Sequence, residues 1–180
     1  MGSRQQLSVQ LRKTWLPFFG RFGRFTPVQE RSISTILGGK NVLLCAPTAS
    51  GKTEAALAPL VERLYRPDVK WTLLHVCPTR ALVNDIYGRL GEPTEELRIR
   101  LARRTGDHRD SLSRIPNILV TTPESFDSLL CRGRGDQFGH VLAHVGAVVL
   151  DEIHLIHGTP RGEQLRWLLE RLHLLRDCSL

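Results

Sequence analysis

Four nearly unbroken apolar runs punctuate the chain, at residues 41–46 (NVLLCA), 71–77 (WTLLHVC), 117–121 (NILVT) and 145–150 (VGAVVL). Runs this short, apolar at both odd and even positions, predict strands buried on both faces, as in a parallel sheet covered by helices. Residues 98–105 alternate instead, with Ile99 and Leu101 on one parity, and predict a strand with one polar face. Helical spacing fills the intervals at residues 52–65, 80–90 and 124–130. Over residues 161–176 it places Leu165, Leu168, Leu169, Leu172 and Leu175 on one stripe with charges opposite. Pro59 removes one hydrogen bond from the first of these helices and predicts a kink there; the apolar pattern resumes at Leu60, Val61 and Leu64. The polar segments 107–116 and 132–139 predict exposed loops. Strand and helix in alternation predict an α/β fold with a mainly parallel sheet and helices on both faces, three layers in all.

Composition narrows the class. At 180 residues the chain is the size of one domain, and 41% apolar with 24% charged residues excludes disordered, collagen-like and coiled-coil classes. Lysine and arginine number 25 against 18 acidic residues, a net charge of +7 that favours a polyanionic partner. No apolar run approaches the ~18 residues of a spanning helix. No leader-like apolar stretch opens the chain, so a cytoplasmic protein without membrane contact is the expectation. Cys45, Cys77, Cys131 and Cys178 form no C-x-x-C pair, and Cys45 and Cys77, lying in apolar runs, are expected as small core residues. His140 with His144, and His154 with His157, have helical spacing, but no carboxylate or cysteine completes a zinc set beside them. Trp15, Phe18, Phe19 and Phe22 are expected to pack as a core cluster or as a wall beside a ligand.

Two motifs carry chemistry. Ala46-Pro47-Thr48-Ala49-Ser50-Gly51-Lys52-Thr53 lies between a predicted strand and a predicted helix, the setting in which a loop's N–H groups and a helix N-terminus cradle phosphates. Lys52 is placed to reach the β- and γ-phosphates, and the Thr53 hydroxyl to bind Mg²⁺. Ala46 stands where the strict pattern has glycine, a departure of one methyl group. Asp151-Glu152-Ile153-His154 directly follows the apolar run 145–150, where carboxylates face the crevice in which α/β sheets bind ligands. Asp151 and Glu152 are candidates for the metal, and Glu152 also for orienting or deprotonating an attacking water.

With these motifs the chain resembles the N-terminal RecA-like domain of a superfamily-two DExH-box helicase. Together with Arg161-Gly162-Glu163-Gln164-Leu165, they look most like the large helicase-related (Lhr) group and its Ski-like relatives. Phe25-Thr26-Pro27-Val28-Gln29 resembles the family's Q motif, which implies that Phe25 and Gln29 bind the adenine; a carboxamide can pair with its N6 and N7. Pro78-Thr79-Arg80-Ala81-Leu82 resembles motif Ia, Thr105-Gly106-Asp107 a further loop motif, and Thr122-Pro123-Glu124 lies in a segment like motif Ib. Hydroxyls and N–H groups at helix starts suit a sequence-independent grip on phosphates.

The resemblance implies one RecA-like domain over 1–180, with a Q-motif region at 1–40 and a core from the phosphate loop to DExH at 41–180. It implies ATP and Mg²⁺ as cofactors, His154 as a coupling residue, and nucleic acid, DNA or RNA, as a single strand or a 3′-tailed duplex, as partner. It also implies a further Ser-Ala-Thr strand and a second RecA-like domain in a longer protein, so these 180 residues are expected to lack the sheet's last strands and to leave a gap in it. The alternative reading is a nucleotide-dependent module that binds nucleic acid or protein without turnover.

Overall fold

The computed structural model describes residues 7–132 and 139–177. They divide into two compact units, one ending at Tyr65 and the other beginning at Arg66.

In the first unit, helices α1 (Trp15–Phe19), α2 (Pro27–Leu37) and α3 (Lys52–Leu64) surround a small core. Thr26 and Pro27 start α2 as N-cap and first helical residue, where the missing N–H of proline costs nothing. Helix α2 packs along α3, burying Ile33 and Ile36 on one and Leu57, Ala58 and Val61 on the other. As expected, α3 runs on through Pro59. Glu62 accepts hydrogen bonds from the Lys13 and Thr14 N–H groups and the Thr14 hydroxyl at 2.9–3.0 Å, which ties the start of α1 to α3. The Trp15, Phe19 and Phe25 rings meet at centroid distances of 4.8–5.6 Å. Phe18 is buried beside them in sequence, but Phe22, expected in the cluster, is 52% exposed.

Residues 41–46, predicted as a buried strand, form none. Val42 and Leu43 are exposed, and so is Cys45, which is therefore not a core residue. A strand persists only where a neighbouring ladder takes its N–H and C=O groups, and among the described residues no ladder includes this segment.

The second unit is built on a four-stranded parallel sheet of β1 (Thr72–Val76), β2 (Leu101–Arg104), β3 (Ile118–Thr121) and β4 (Val145–Leu150), in the order β2-β3-β1-β4. Helices α4 (Arg80–Glu96), α5 (Pro123–Arg132), α6 (Gly139–Ala143) and α7 (Pro160–Asp177) complete it. Leu74, Val76 and Leu119 pack into one core with Phe126, Leu165 and Leu168 of α5 and α7. The opposite parity, Leu73, His75, Ile118 and Val120, is equally buried, as continuous apolar runs require.

Four details depart from the sequence pattern. Strand β2 covers only Leu101–Arg104, and its buried side chains are Ala102 and Arg104 rather than Ile99 and Leu101. Strand β4 lies at the sheet edge and is only half-buried from Ala147 on, because it has one neighbour where a central strand has two. Helix α4 continues through Pro93 to Glu96, past its predicted end. The predicted loop 132–139 overlaps α5 at Arg132 and α6 at Gly139, and its residues 133–138 lie outside the described ones. Residues 107–116 form an irregular connection as predicted.

Candidate functional site

In the first unit the loop before α3 is held by short-range bonds. Gly51, the N-cap, has φ +84°, a conformation that favours glycine, and a Cβ there would have to displace the Gln29 carboxamide. Ala49 also takes a left-handed conformation, φ 58°, which a non-glycine residue adopts at a cost of about 1 kcal/mol or more. The Ser50 hydroxyl donates to the Pro47 carbonyl at 2.7 Å. Lys52 Nζ donates to the Ala46 and Pro47 carbonyls at 2.8 and 2.9 Å, so the ammonium lies across the mouth of the loop. Thr48 and Thr53 belong to the same loop and the first turn of α3, the latter half-buried.

The Q-like motif braces this loop. Gln29 Oε1 accepts from the Thr26 N–H at 2.9 Å, its Nε2 donates to the Gly51 carbonyl at 3.2 Å, and the Thr26 hydroxyl donates to the Ser50 carbonyl at 2.8 Å. Both polar atoms of the buried Gln29 side chain are thus engaged within the chain. Phe25 is also buried, its ring closed in by Trp15 and Phe19.

In the second unit the parallel strands bring their C-terminal ends to one edge. Asp151 continues the β4 ladder, its N–H donating to the Val76 carbonyl at 2.9 Å. Its Oδ1 accepts from the Glu152 N–H at 3.0 Å, and its Oδ2 faces His75 Nε2 at 3.5 Å. Glu152 is left-handed (φ 44°, ψ 40°) at the start of a 3₁₀ turn, Ile153–Leu155. It pairs with His154 Nδ1 at 3.2 Å, and the His154 side chain is otherwise exposed. Burial, with the negative charges of Asp151 and Asp85 adding to it, pushes the Cys77 thiol up to about 12.

A cleft of about 430 Å³ opens between the loops that follow β1, β2 and β3. It is lined by Arg80, Thr105, Gly106, Thr122 and Glu124, residues from all three loop motifs. Thr79 and Pro123 stand just outside: Thr79 Oγ1 caps α4 by accepting from the Leu82 N–H at 3.2 Å, and Pro123 opens α5. Ser125, the last residue of the motif Ib-like segment, also lines the cleft, as do Arg104, Arg109 and Ser128, which belong to none of the sequence motifs. Arg161 is brought in by the fold from α7. Four arginines against the Glu124 carboxylate in the lining, with Asp107 paired to Arg80, leave the cleft electropositive.

Arg80 and Arg161 are latched. Arg80 Nη1 donates to both Asp107 oxygens at 2.8–2.9 Å in an exposed pair. Arg161 donates to Glu124 Oε1 and to the Pro78 carbonyl, each at 2.8 Å, which ties α7 to α5 and to the end of β1. Burial acts to raise the Glu124 carboxyl, but its own N–H at the helix start, Arg161 and Thr122 together hold it below the usual range.

The second unit carries the loop motifs at the C-terminal edge of its parallel sheet, and the first carries the Gly51-Lys52-Thr53 loop. The DEAD/DEAH box helicase family model matches residues 26–179, and the chain belongs to that family. It is 37% identical over 188 residues to the ATP-dependent helicase Lhr-Core of Methanocaldococcus jannaschii, covering 92% of this chain and 22% of that protein. Against the Escherichia coli protein named Lhr helicase/uracil glycosylase, identity is 33% over 90% of this chain and 12% of the relative. Among solved structures, Mycobacterium smegmatis helicase Lhr bound to ssDNA and AMP-PNP superposes with a TM-score of 0.77 at 31% identity, over 97% of this chain and 23% of that one. The fold is RecA-like and the resemblance to Lhr-type helicases is shown. The chain spans about a fifth of the length of the Lhr-Core relatives.

Proposed function

We propose that this chain is the ATP-binding motor domain of an ATP-dependent DExH helicase that grips one strand of nucleic acid in the arginine-lined cleft. The observation that carries this reading is the convergence of three loops, separated by up to about 40 residues in sequence, on one electropositive cleft at the C-terminal edge of the sheet. Hydroxyls of Thr105, Thr122 and Ser125 beside guanidinium groups suit a phosphate backbone and leave base edges unread. The solved relative bound to ssDNA favours single-stranded DNA as the first substrate to test.

Lys52 and the loop N–H groups would hold the ATP phosphates, displacing Lys52 from its carbonyl contacts. The hydroxyl of Thr53 in the first unit and the carboxylates of Asp151 and Glu152 in the second are each hard oxygen donors of the kind Mg²⁺ prefers, so each suits the ion. The ion, when bound, supplies charge neutralisation at the transferring phosphate. Glu152 orients the attacking water and accepts its proton, while His154 holds the Glu152 carboxylate. Gln29 braces the phosphate loop, and an adenine contact by its carboxamide would require it to exchange one of its present partners. Strand separation by the whole protein would draw on a second RecA-like domain.

Fluorescence anisotropy with several unrelated labelled single strands tests the cleft. Replacing Arg80 by Ala is expected to weaken all of them by a similar factor, about 3- to 10-fold, the scale of one charged hydrogen bond at an exposed site. A folded Arg80→Ala protein that binds as the parent does would overturn the assignment.

A further inference from the structure

We propose that His75, Cys77 and Asp151 form a binding site for a borderline-soft divalent cation of the zinc class. His75 and Cys77 are two residues apart at the end of β1 and therefore project from the same face of the sheet. Strand β4 pairs with β1 so that Val76 lies opposite Leu150, which brings Asp151 alongside Cys77. One ligand atom from each residue lies within 4.8 Å of the others. His75 Nε2 and Asp151 Oδ2 are already 3.5 Å apart, close to the ~3.4 Å that two ligands subtend on a tetrahedral ion at ~2.1 Å.

A second observation points to a ligand here. His75 is 1% exposed, and neither of its ring nitrogens has a hydrogen-bond partner among the described residues. Buried polar groups are otherwise nearly always satisfied, and an imidazole nitrogen aimed at a thiol and a carboxylate is satisfied by a shared cation. The donor set of nitrogen, sulfur and oxygen selects against Mg²⁺, which takes oxygen ligands, and for Zn²⁺, which accepts all three. Asp151 is partly exposed and gives the ion its way in. The Cys77 thiol releases its proton to solvent as the metal–sulfur bond forms.

Occupancy withdraws Asp151 from any other metal, so zinc is expected to inhibit ATP hydrolysis. That consequence rests on the role proposed for Asp151 above; binding of the cation does not.

The test uses the full chain with Cys45, Cys131 and Cys178 replaced by Ser, so that Cys77 is the sole thiol. Titration with Co²⁺ alone is expected to give one equivalent of a thiolate-to-cobalt charge-transfer band that Zn²⁺ abolishes. The band should vanish in Cys77→Ser, and His75→Gln should bind Zn²⁺ at least ~10-fold more weakly. Circular dichroism identifies which variants are folded, and Cys77→Ala replaces Cys77→Ser if the latter is not. Absence of the band in the single-thiol protein, its survival without Cys77, or unchanged Zn²⁺ affinity in folded His75→Gln would each overturn the site. Zinc binding with ATP hydrolysis unaffected would support the site and overturn only the role given to Asp151.

Discussion

Lys52 holds its ammonium against two loop carbonyls, and phosphate oxygens compete for the same donor with full negative charge. Lys52→Ala is therefore expected to weaken Mg-ATP binding by at least ~1.5 kcal/mol, the low end for a charge-assisted hydrogen bond, as read by titration calorimetry on a folded variant. Unchanged binding would remove the phosphate-loop assignment. Glu152→Gln keeps the size of the side chain and its ability to hydrogen-bond but cannot accept a proton. ATP binding should persist while hydrolysis in the full-length protein falls by about 10²-fold or more. Equal turnover would reduce Glu152 to the start of its 3₁₀ turn. These candidates stand out in the sequence because the proposed chemistry depends on neighbours in the chain: Gly51-Lys52-Thr53 at a helix start, and Asp151-Glu152 at a strand end. The place of Arg104 and Arg109 in the cleft does not. Arginine is common in this basic chain, and only the meeting of three loops separates the residues that line the cleft from those on an ordinary surface. The environment of His75 was hidden for the same reason, since its neighbour Asp151 arrives through strand pairing across more than seventy residues of sequence.

At the scale of elements, periodicity located β1, β3, β4 and helices α3, α4, α5 and α7, because burial of one stripe or of both strand faces leaves a mark on composition; it missed α2, Pro27–Leu37. It failed at residues 41–46, where the mark is present but the ladder is not, and at β2, where the buried positions are Ala102 and Arg104. Arg104 cannot register as core in any hydrophobic count. The latch of Arg161 with Glu124 and the Pro78 carbonyl adds to the apolar packing of α5 against α7. The Glu124 carboxyl is held below the usual range, so the folded state binds its proton less readily than the unfolded chain does. The stabilisation is complete above the unfolded carboxylate pKa of about 4.3 and is lost as pH falls through the lower folded value. Urea melts of the parent and of Glu124→Gln should differ by a constant amount at neutral pH and converge in acid. A difference that grows as pH falls would contradict the latch.

For the whole molecule, the net charge of +7 admits two accounts of nucleic acid binding: a diffuse basic surface, or a cleft that neutralises a countable number of phosphates. Salt dependence separates them. The cleft offers four arginines, of which Arg104 is buried, and Arg80 and Arg161 must exchange or share Asp107 and Glu124 before they meet a phosphate. With about 0.7 counterions released per neutralised phosphate on a single strand, three or four contacts give a log–log slope of roughly −2 to −3. A diffuse surface engaging most of the excess charge would give a slope nearer −5. Removing Arg80 should lower the cleft's slope by ~0.7 and leave the ranking of unrelated sequences unchanged, because a phosphate contact carries no base information. Anisotropy over a salt series, with parent and Arg80→Ala side by side, reads both quantities. A steep slope that ignores Arg80 would assign binding to the surface at large, and a strong preference for one sequence would mean that base edges, not phosphates, are being read.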